Sequence, residues 1–162
     1  MTYGLTSPMI GAQPIANTET TAKHPIGTII RAVDPTYGEG EFIYLKGVAS
    51  TVVGSIVTFN TTDGQTALAP AGTNVPQPIA VSMSANVAGQ YGWYQIAGQA
   101  VAFKSTGAMT AGSAVGVSTA GVLNATATGK EVMGATVITT VTAAEASVLI
   151  LIDRPHMQGR IT

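Results

Sequence analysis

The 162-residue chain contains no cysteine, and this absence excludes disulfide bonds, thiolate metal sites and cysteine nucleophiles together. Charged residues make up only 9% of the chain, against roughly a quarter in a typical soluble domain. With a net charge of -1, the chain offers no basic surface to attract nucleic acid or an anionic membrane. One tryptophan and three phenylalanines are also too few for a surface on which successive bases stack. We therefore expect no nucleic-acid partner.

The sequence also has no recognisable targeting or membrane-spanning segment. The N-terminal stretch MTYGLTSPMIGAQP has neither a basic region nor a long apolar region, so it does not predict a secretory signal. The longest strongly apolar run is VLILI at positions 148–152, far shorter than the roughly 20 residues that span a bilayer. We expect a soluble protein that is synthesised in the cytoplasm and has no membrane partner.

The scarcity of charge indicates self-association. Apolar residues make up 46% of the chain and 19 residues are glycine, whereas the solubility of a monomer usually rests on a charged surface. A chain of this composition covers its surface by assembling, or stays a monomer with a polar surface rich in Thr and Ser. We favour assembly.

Residues 1–25 show no helical or strand periodicity and contain Pro8, Pro14 and Pro25, so we expect an extended N-terminal arm. The arm carries scattered apolar side chains that a solvated linker does not need: Tyr3, Leu5, Met9, Ile10 and Ile15. Such an arm orders against a neighbouring subunit or another protein; the alternative is a disordered end.

From residue 26 to 153 the sequence reads as short strands separated by Gly, Pro and Asp, which predicts an all-β domain, a small barrel or sandwich. Asp34-Pro35 and Asp63-Gly64 are turn signals between strands. The stretches TVVGSIVTFNTTDG (51–64) and MTAGSAVGVSTAG (109–121) share a Gly-Ser pair, a strand and a glycine turn, and each is followed by another strand. This predicts one strand–turn–strand unit used twice. Residues 154–162 are expected to form a tail.

No pattern of catalytic or metal-binding residues is present. His24 and His156 lie at opposite ends of the chain, and no G-x-S-x-G motif occurs. Asp34, Glu39 and Glu41 form the densest acidic group, but their spacing matches no known cation loop, so we expect a solvated turn. We predict that the protein is not an enzyme and binds no cofactor, metal ion or small-molecule substrate.

The stretch QYGWYQIAGQA (90–100) concentrates the large rings of the chain. Strand alternation places Trp93, Gln95 and Ala97 on one face, with Tyr94 and Ile96 on the other, so the two largest rings cannot form one flat platform. We expect one ring in the core and the other at a subunit or domain contact, where Tyr and Trp are favoured.

Three segments carry a family resemblance: PIGTIIRAVDPTYGEGEFIYLKGVASTVVGSIVTFN, YGWYQIAGQAVAF and MTAGSAVGVSTAGVLNA. Their small-residue strand patterns resemble the head decoration, or cement, proteins of tailed bacteriophages. The resemblance covers most of residues 26–152 and excludes the N-terminal arm and the C-terminal RPHMQGRIT.

The resemblance implies a β-barrel or β-tulip-like sandwich that forms a homotrimer. It further implies a virion structural protein on the outer surface of the capsid, clamping major capsid protein subunits together. The residues expected at capsid or subunit contacts are Tyr3, Leu5, Met9, Ile10, Ile15, Tyr91, Trp93 and Tyr94. Two other functions remain open: a carbohydrate-binding head-fibre or tail module that uses Trp93 and nearby tyrosines, and a small hydrolase.

Overall fold

The chain is all-β in the computed structural model, which describes residues 4–5, 12–72 and 75–159. The described residues form twelve strands: β1 (Gly4–Leu5), β2 (Thr18–Glu19), β3 (Ile29–Asp34), β4 (Gly38–Lys46), β5 (Ile56–Phe59), β6 (Thr66–Leu68), β7 (Ile79–Ser82), β8 (Tyr91–Phe103), β9 (Ala114–Thr119), β10 (Val122–Ala125), β11 (Glu131–Val137) and β12 (Ser147–Met157). Within those ranges no helix is long and apolar enough to cross a membrane. The predicted all-β class is confirmed.

The strands pair antiparallel in one curled sheet of order β1-β3-β4-β8-β12-β11-β9-β10, which forms a half-barrel. A branch runs from β8 through β7 and β5 to β6, and β2 adds to β8 near its start. At the far end the sheet curls back, because the amide of Ser105, just after β8, donates to the carbonyl of Leu123 in β10 at 2.9 Å. The barrel-like part of the prediction is therefore confirmed at this coarse level.

Two turns that the sequence predicted join neighbouring strands. Asp34 ends β3, and its Oδ1 accepts hydrogen bonds from the amides of Thr36 and Tyr37, which closes the turn into β4. Asp63 and Gly64 connect β5 to β6, and Gly64 has a φ of 66°, a conformation that glycine adopts without strain. Both turn predictions are confirmed.

The strand–turn–strand unit occurs twice, as the sequence predicted. Gly54 and Gly112 both have positive φ angles and precede the first strand of each unit. The amide of Gly54 donates to Ser82 and that of Gly112 to Val137, the last residues of the third strands, β7 and β11. Each unit is therefore a hairpin, β5–β6 or β9–β10, whose first strand also pairs with a later strand.

The long strand β8 divides the molecule into two halves. Its residues 91–97 pair with β4, and its residues 97–103 pair with β12. Apolar side chains on the two faces of the β4–β8 half form separate clusters, one around Trp93 and Phe42 and one around Tyr94 and Leu45. The β8–β12 half encloses the third and largest cluster, which includes Ala100 and Ile150. Burial of these clusters stabilises the sheet by about 25 cal/mol per Å² of apolar surface.

Two expected domain boundaries differ from the structure. Strand β12 continues to Met157, which is fully buried, so the segment expected as a tail from 154 begins inside the sheet. The expected arm is partly integrated as well: Thr18 and Glu19 pair with Gly92 and Tyr91 of β8. The sequence hid both features because strand residues are selected by what they pack against, and these partners lie far away along the chain.

Candidate functional site

Two rings of the aromatic stretch, Tyr91 and Trp93, lie in an aromatic cluster, which we define as His24, Tyr44, Tyr91 and Trp93. The centroids of Tyr44 and Trp93 are 5.0 Å apart, and His24 lies 5.1 Å from Tyr44 and 5.4 Å from Trp93. Tyr44 and Tyr91 stack at 6.2 Å. Trp93 and Tyr44 are both 0% exposed, so these rings pack on each other and offer no open platform to a sugar.

The N-terminal segment 12–25 covers this cluster. Ile15 is 3% exposed and packs with Trp93, and the amide of Lys23 donates to the hydroxyl of Tyr44 at 3.2 Å. Two side chains of the segment and one beneath it have buried polar atoms without a hydrogen-bond partner in the described structure: Gln13, Nε2 of His24 and Nε1 of Trp93. Unpaired buried polar atoms cost free energy, so the burial of Ile15 and the pairing of Thr18 and Glu19 with β8 must offset that cost.

Tyr94 points to the opposite face of β8, as the alternation predicted, and is also 0% exposed. Its burial raises the pKa of the phenol, and hydrogen bonds with Asn86, Thr66 and Ser82 oppose that rise. Both large rings are therefore buried by the chain itself. The expectation that one of them lies at a contact surface was wrong, because β5–β7 cover one face of β8 and segment 12–25 covers the other.

The other expected contact residues have mixed outcomes. Ile15 is buried within its own chain, so it is not free to anchor an arm on a neighbour. Tyr91 is only partly buried. The backbone of Leu5 pairs with Ala32 of β3. Tyr3, Met9, Ile10 and the side chain of Leu5 lie outside what the structure describes, so contacts made by them stay a prediction.

Residues from three strands meet in a charged cluster that the sequence did not reveal, and we define it as Arg31, Glu39, Glu41, Asp153 and Arg154. The carboxylate of Glu41 binds Arg31 at 3.0 Å and Arg154 at 2.6 Å. A depression of about 310 Å³ lies at this cluster, and Ala97 and Gly98 of β8 also line it. The register between β4 and β8 shifts at Glu41, so Glu41 pairs with Ala97. Ala97 therefore does not share the face of Trp93, contrary to the prediction from strand alternation.

The described residues hold no group of three or more acidic or histidine side chains placed to bind a metal ion. Within the acidic triplet of the sequence, Asp34 closes its own turn, whereas Glu39 and Glu41 face Arg31. His24 belongs to the aromatic cluster, and exposed His156 lies on β12 across from Met133. No histidine is placed beside a nucleophile by any of these contacts.

Exposed apolar side chains lie on one side of β8 and β12 within the described residues, and we call this side the β8–β12 face. Its eight residues are directly opposed in four pairs: Ala97 with Asp153, Gln99 with Leu151, Val101 with Leu149, and Phe103 with Ser147. Leu151 is 51% exposed and Phe103 is 37% exposed, while the alternate residues of both strands are buried in the core. Of the eight, only Asp153 is charged, and it lies at the end occupied by the charged cluster.

The sequence of β12 contains a signal for this face. In VLILI, Leu149 and Leu151 alternate with Val148, Ile150 and Ile152, so both sides of the strand are apolar. Such a strand is typical of one that is covered on both faces. The chain itself covers only one of them within the described residues.

Comparison with known proteins adds no family: no protein-family model matches the chain, and no curated protein matches it.

Proposed function

We propose that this chain is a structural virion protein, a decoration or cement protein that binds the outside of a phage head as a homotrimer and stabilises contacts between major capsid protein subunits. The observation that carries the proposal is the β8–β12 face, an exposed and largely uncharged sheet surface on a chain with 9% charged residues. An exposed apolar patch bordered by polar and charged residues is often a site of protein–protein contact.

The proposed protein would stabilise the capsid through the free energy of its binding. A protein that binds only the assembled capsid lattice stabilises that lattice by its binding free energy at every occupied position. A trimer engages several neighbouring capsid subunits at once, so its contacts add through effective concentration. This role requires rigid surfaces and no reaction, which agrees with a chain whose most buried rings serve packing.

The carbohydrate-binding alternative is disfavoured by burial. Sugar recognition by stacking needs an open ring face, whereas Trp93, Tyr44 and Tyr94 are all 0% exposed. Within the aromatic stretch, Tyr91 keeps partial exposure, and one ring stacked on Tyr44 is a poor platform.

Co-sedimentation with purified phage heads that lack the protein tests the proposal. We expect saturable binding to heads of the phage that encodes the chain, and an increase in the temperature at which those heads release DNA. Unexpanded or unrelated heads serve as the control. Absence of binding at micromolar protein would reject the capsid role, and affinity for host polysaccharide would restore the carbohydrate alternative.

A further inference from the structure

We infer that the β8–β12 face is the surface through which one copy of this chain contacts a second copy. The inference rests on the proposed function, because it assigns a specific surface to the trimer contact. It uses neither the rings Tyr91, Trp93 and Tyr94 nor the N-terminal arm, where the sequence had placed the contacts.

The chemistry of the face suits burial against protein. Between the pairs Gln99–Leu151 and Phe103–Ser147 the face carries no charge, and its apolar side chains are Val101, Phe103, Leu149 and Leu151. The loop next to it extends the apolar surface, since Gly54 accepts a hydrogen bond from the amide of Phe103 and the preceding Val53 is 62% exposed. Depletion of charge at the centre and polar residues at the rim is the usual composition of an interface.

The charged cluster at one end of the face indicates which partner fits. Five of the chain's charged residues, from a total of seven Lys and Arg and eight Asp and Glu, lie in this cluster and include both signs. Arg31 and Arg154 share one carboxylate, that of Glu41, and keep side chains that are 60% exposed. Exposed Asp153 makes no ion pair within the described residues.

A rim of this kind complements itself. The Asp153 carboxylate of one copy can pair with an arginine of the next, whereas a strongly acidic or strongly basic partner would meet groups of its own sign. Complementary charges set register and exclude wrong partners more than they add affinity. A second copy is therefore the occupant that satisfies both the apolar centre and the mixed rim.

The area of the face bears on how much else the contact must include. Seven positions along each of the two strands cover roughly 200 Å² of sheet, from the usual rise and spacing of strands. This is below the about 800 Å² that each partner buries in a standard interface, so the rim and the Val53 loop must contribute. In a cyclic trimer each copy makes two contacts, which compensates for a modest area in each.

Light scattering on single-site variants of the full chain tests the inference. We expect the wild-type mass to be three times 16.4 kDa at micromolar concentration, and Leu151→Glu to reduce it to that of one chain. Val87→Glu is the matched control, because Val87 is equally exposed at 52% but lies in the loop before β8. Far-ultraviolet circular dichroism checks that both variants remain folded.

The absence of cysteine allows a second readout that does not depend on disrupting the surface. The thiol of Leu151→Cys should react with a maleimide more than about tenfold more slowly in the assembled protein than in diluted protein, because an interface core excludes solvent. The thiol of Val87→Cys should react at the same rate in both.

The possible results separate this inference from the proposed function. A Leu151→Glu protein that keeps the wild-type mass, or a Leu151→Cys thiol that stays reactive at all concentrations, overturns the inference even if the wild-type protein still decorates heads. A monomeric wild-type protein overturns it as well. Loss of the trimer in Leu151→Glu but not in Val87→Glu supports the inference. Binding of the wild-type protein to heads then tests the capsid role separately.

Discussion

The side-chain amide of Asn86 donates a hydrogen bond of 2.8 Å to the hydroxyl of Tyr94, and both residues are 0% exposed. The bond joins the loop before β8 to the strand itself. The other amide atom, Oδ1 of Asn86, has no partner within the described residues, so the bond to Tyr94 is the main compensation for burying this amide.

Tyr94→Phe should lower the free energy of unfolding by about 1–3 kcal/mol, because it leaves the buried amide of Asn86 without its acceptor. Urea denaturation at neutral pH measures the loss. Tyr37→Phe, at the partly buried turn between β3 and β4, is the control and should change stability little. An equal loss in the two variants would show that the Asn86 bond contributes nothing specific.

The same variant should change the response to alkaline pH. Burial raises the pKa of Tyr94 above its unfolded value of about 10, so the folded state retains the proton when the unfolded state loses it. That contribution to stability is fully present below about pH 10 and is lost as the pH rises through the folded pKa. Wild-type stability should therefore fall more steeply above pH 10 than that of Tyr94→Phe. Parallel curves would contradict this assignment.

Trp93→Ala should cost about 3–5 kcal/mol, because it removes a fully buried ring packed against Tyr44 and His24. Trp93→Phe should lose less, since part of the packing is kept, and half-buried Tyr91→Ala should also lose less. Thermal melting by circular dichroism measures all three. Retention of the wild-type melting temperature by Trp93→Ala would place the ring outside the core and restore its availability to a ligand.

Ile15→Ala should destabilise the fold by about 2–5 kcal/mol, the usual cost of truncating a buried isoleucine. Ile29→Ala is the matched control, because Ile29 is 44% exposed and should change stability far less. Deletion of residues 2–20 should likewise destabilise the domain, since it removes β2 as well as Ile15. A truncated protein as stable as wild type would return residues 12–20 to the role of a free arm.

Gly98→Ala should prevent the normal approach of β4 to β8. Gly98 has a φ of 97°, and a Cβ there would stand 2.4 Å from the carbonyl oxygen of Glu39. Gly89→Ala is a close control, because Gly89 has a φ of 81° but no atom within 4 Å of the added carbon. The free energy of unfolding of Gly89→Ala should fall by only about 1–2 kcal/mol, because of backbone strain. Equal melting temperatures for the two variants would contradict the steric argument.

The local features of the fold were readable from the sequence because they depend on neighbouring residues. Asp34-Pro35 and Asp63-Gly64 marked turns, and the paired Gly-Ser stretches marked the two repeated units. Alternation placed Trp93 and Tyr94 on opposite faces of one strand. Each of these follows from backbone geometry and side-chain period, which act over a few residues.

The covering of each face was decided only by the tertiary structure. Whether Trp93 and Tyr94 are core or contact depends on Ile15 and on β5–β7, and neither is adjacent to them in sequence. In the charged cluster Glu41 binds Arg154, which is 113 positions away in the sequence. No local sequence motif could therefore predict the cluster. The sequence by itself determined the strands, the turns and the scarcity of charge. Burial and ion pairing arise from contacts between distant segments, and so only the folded chain decided which aromatics are closed off and which sheet face is left open.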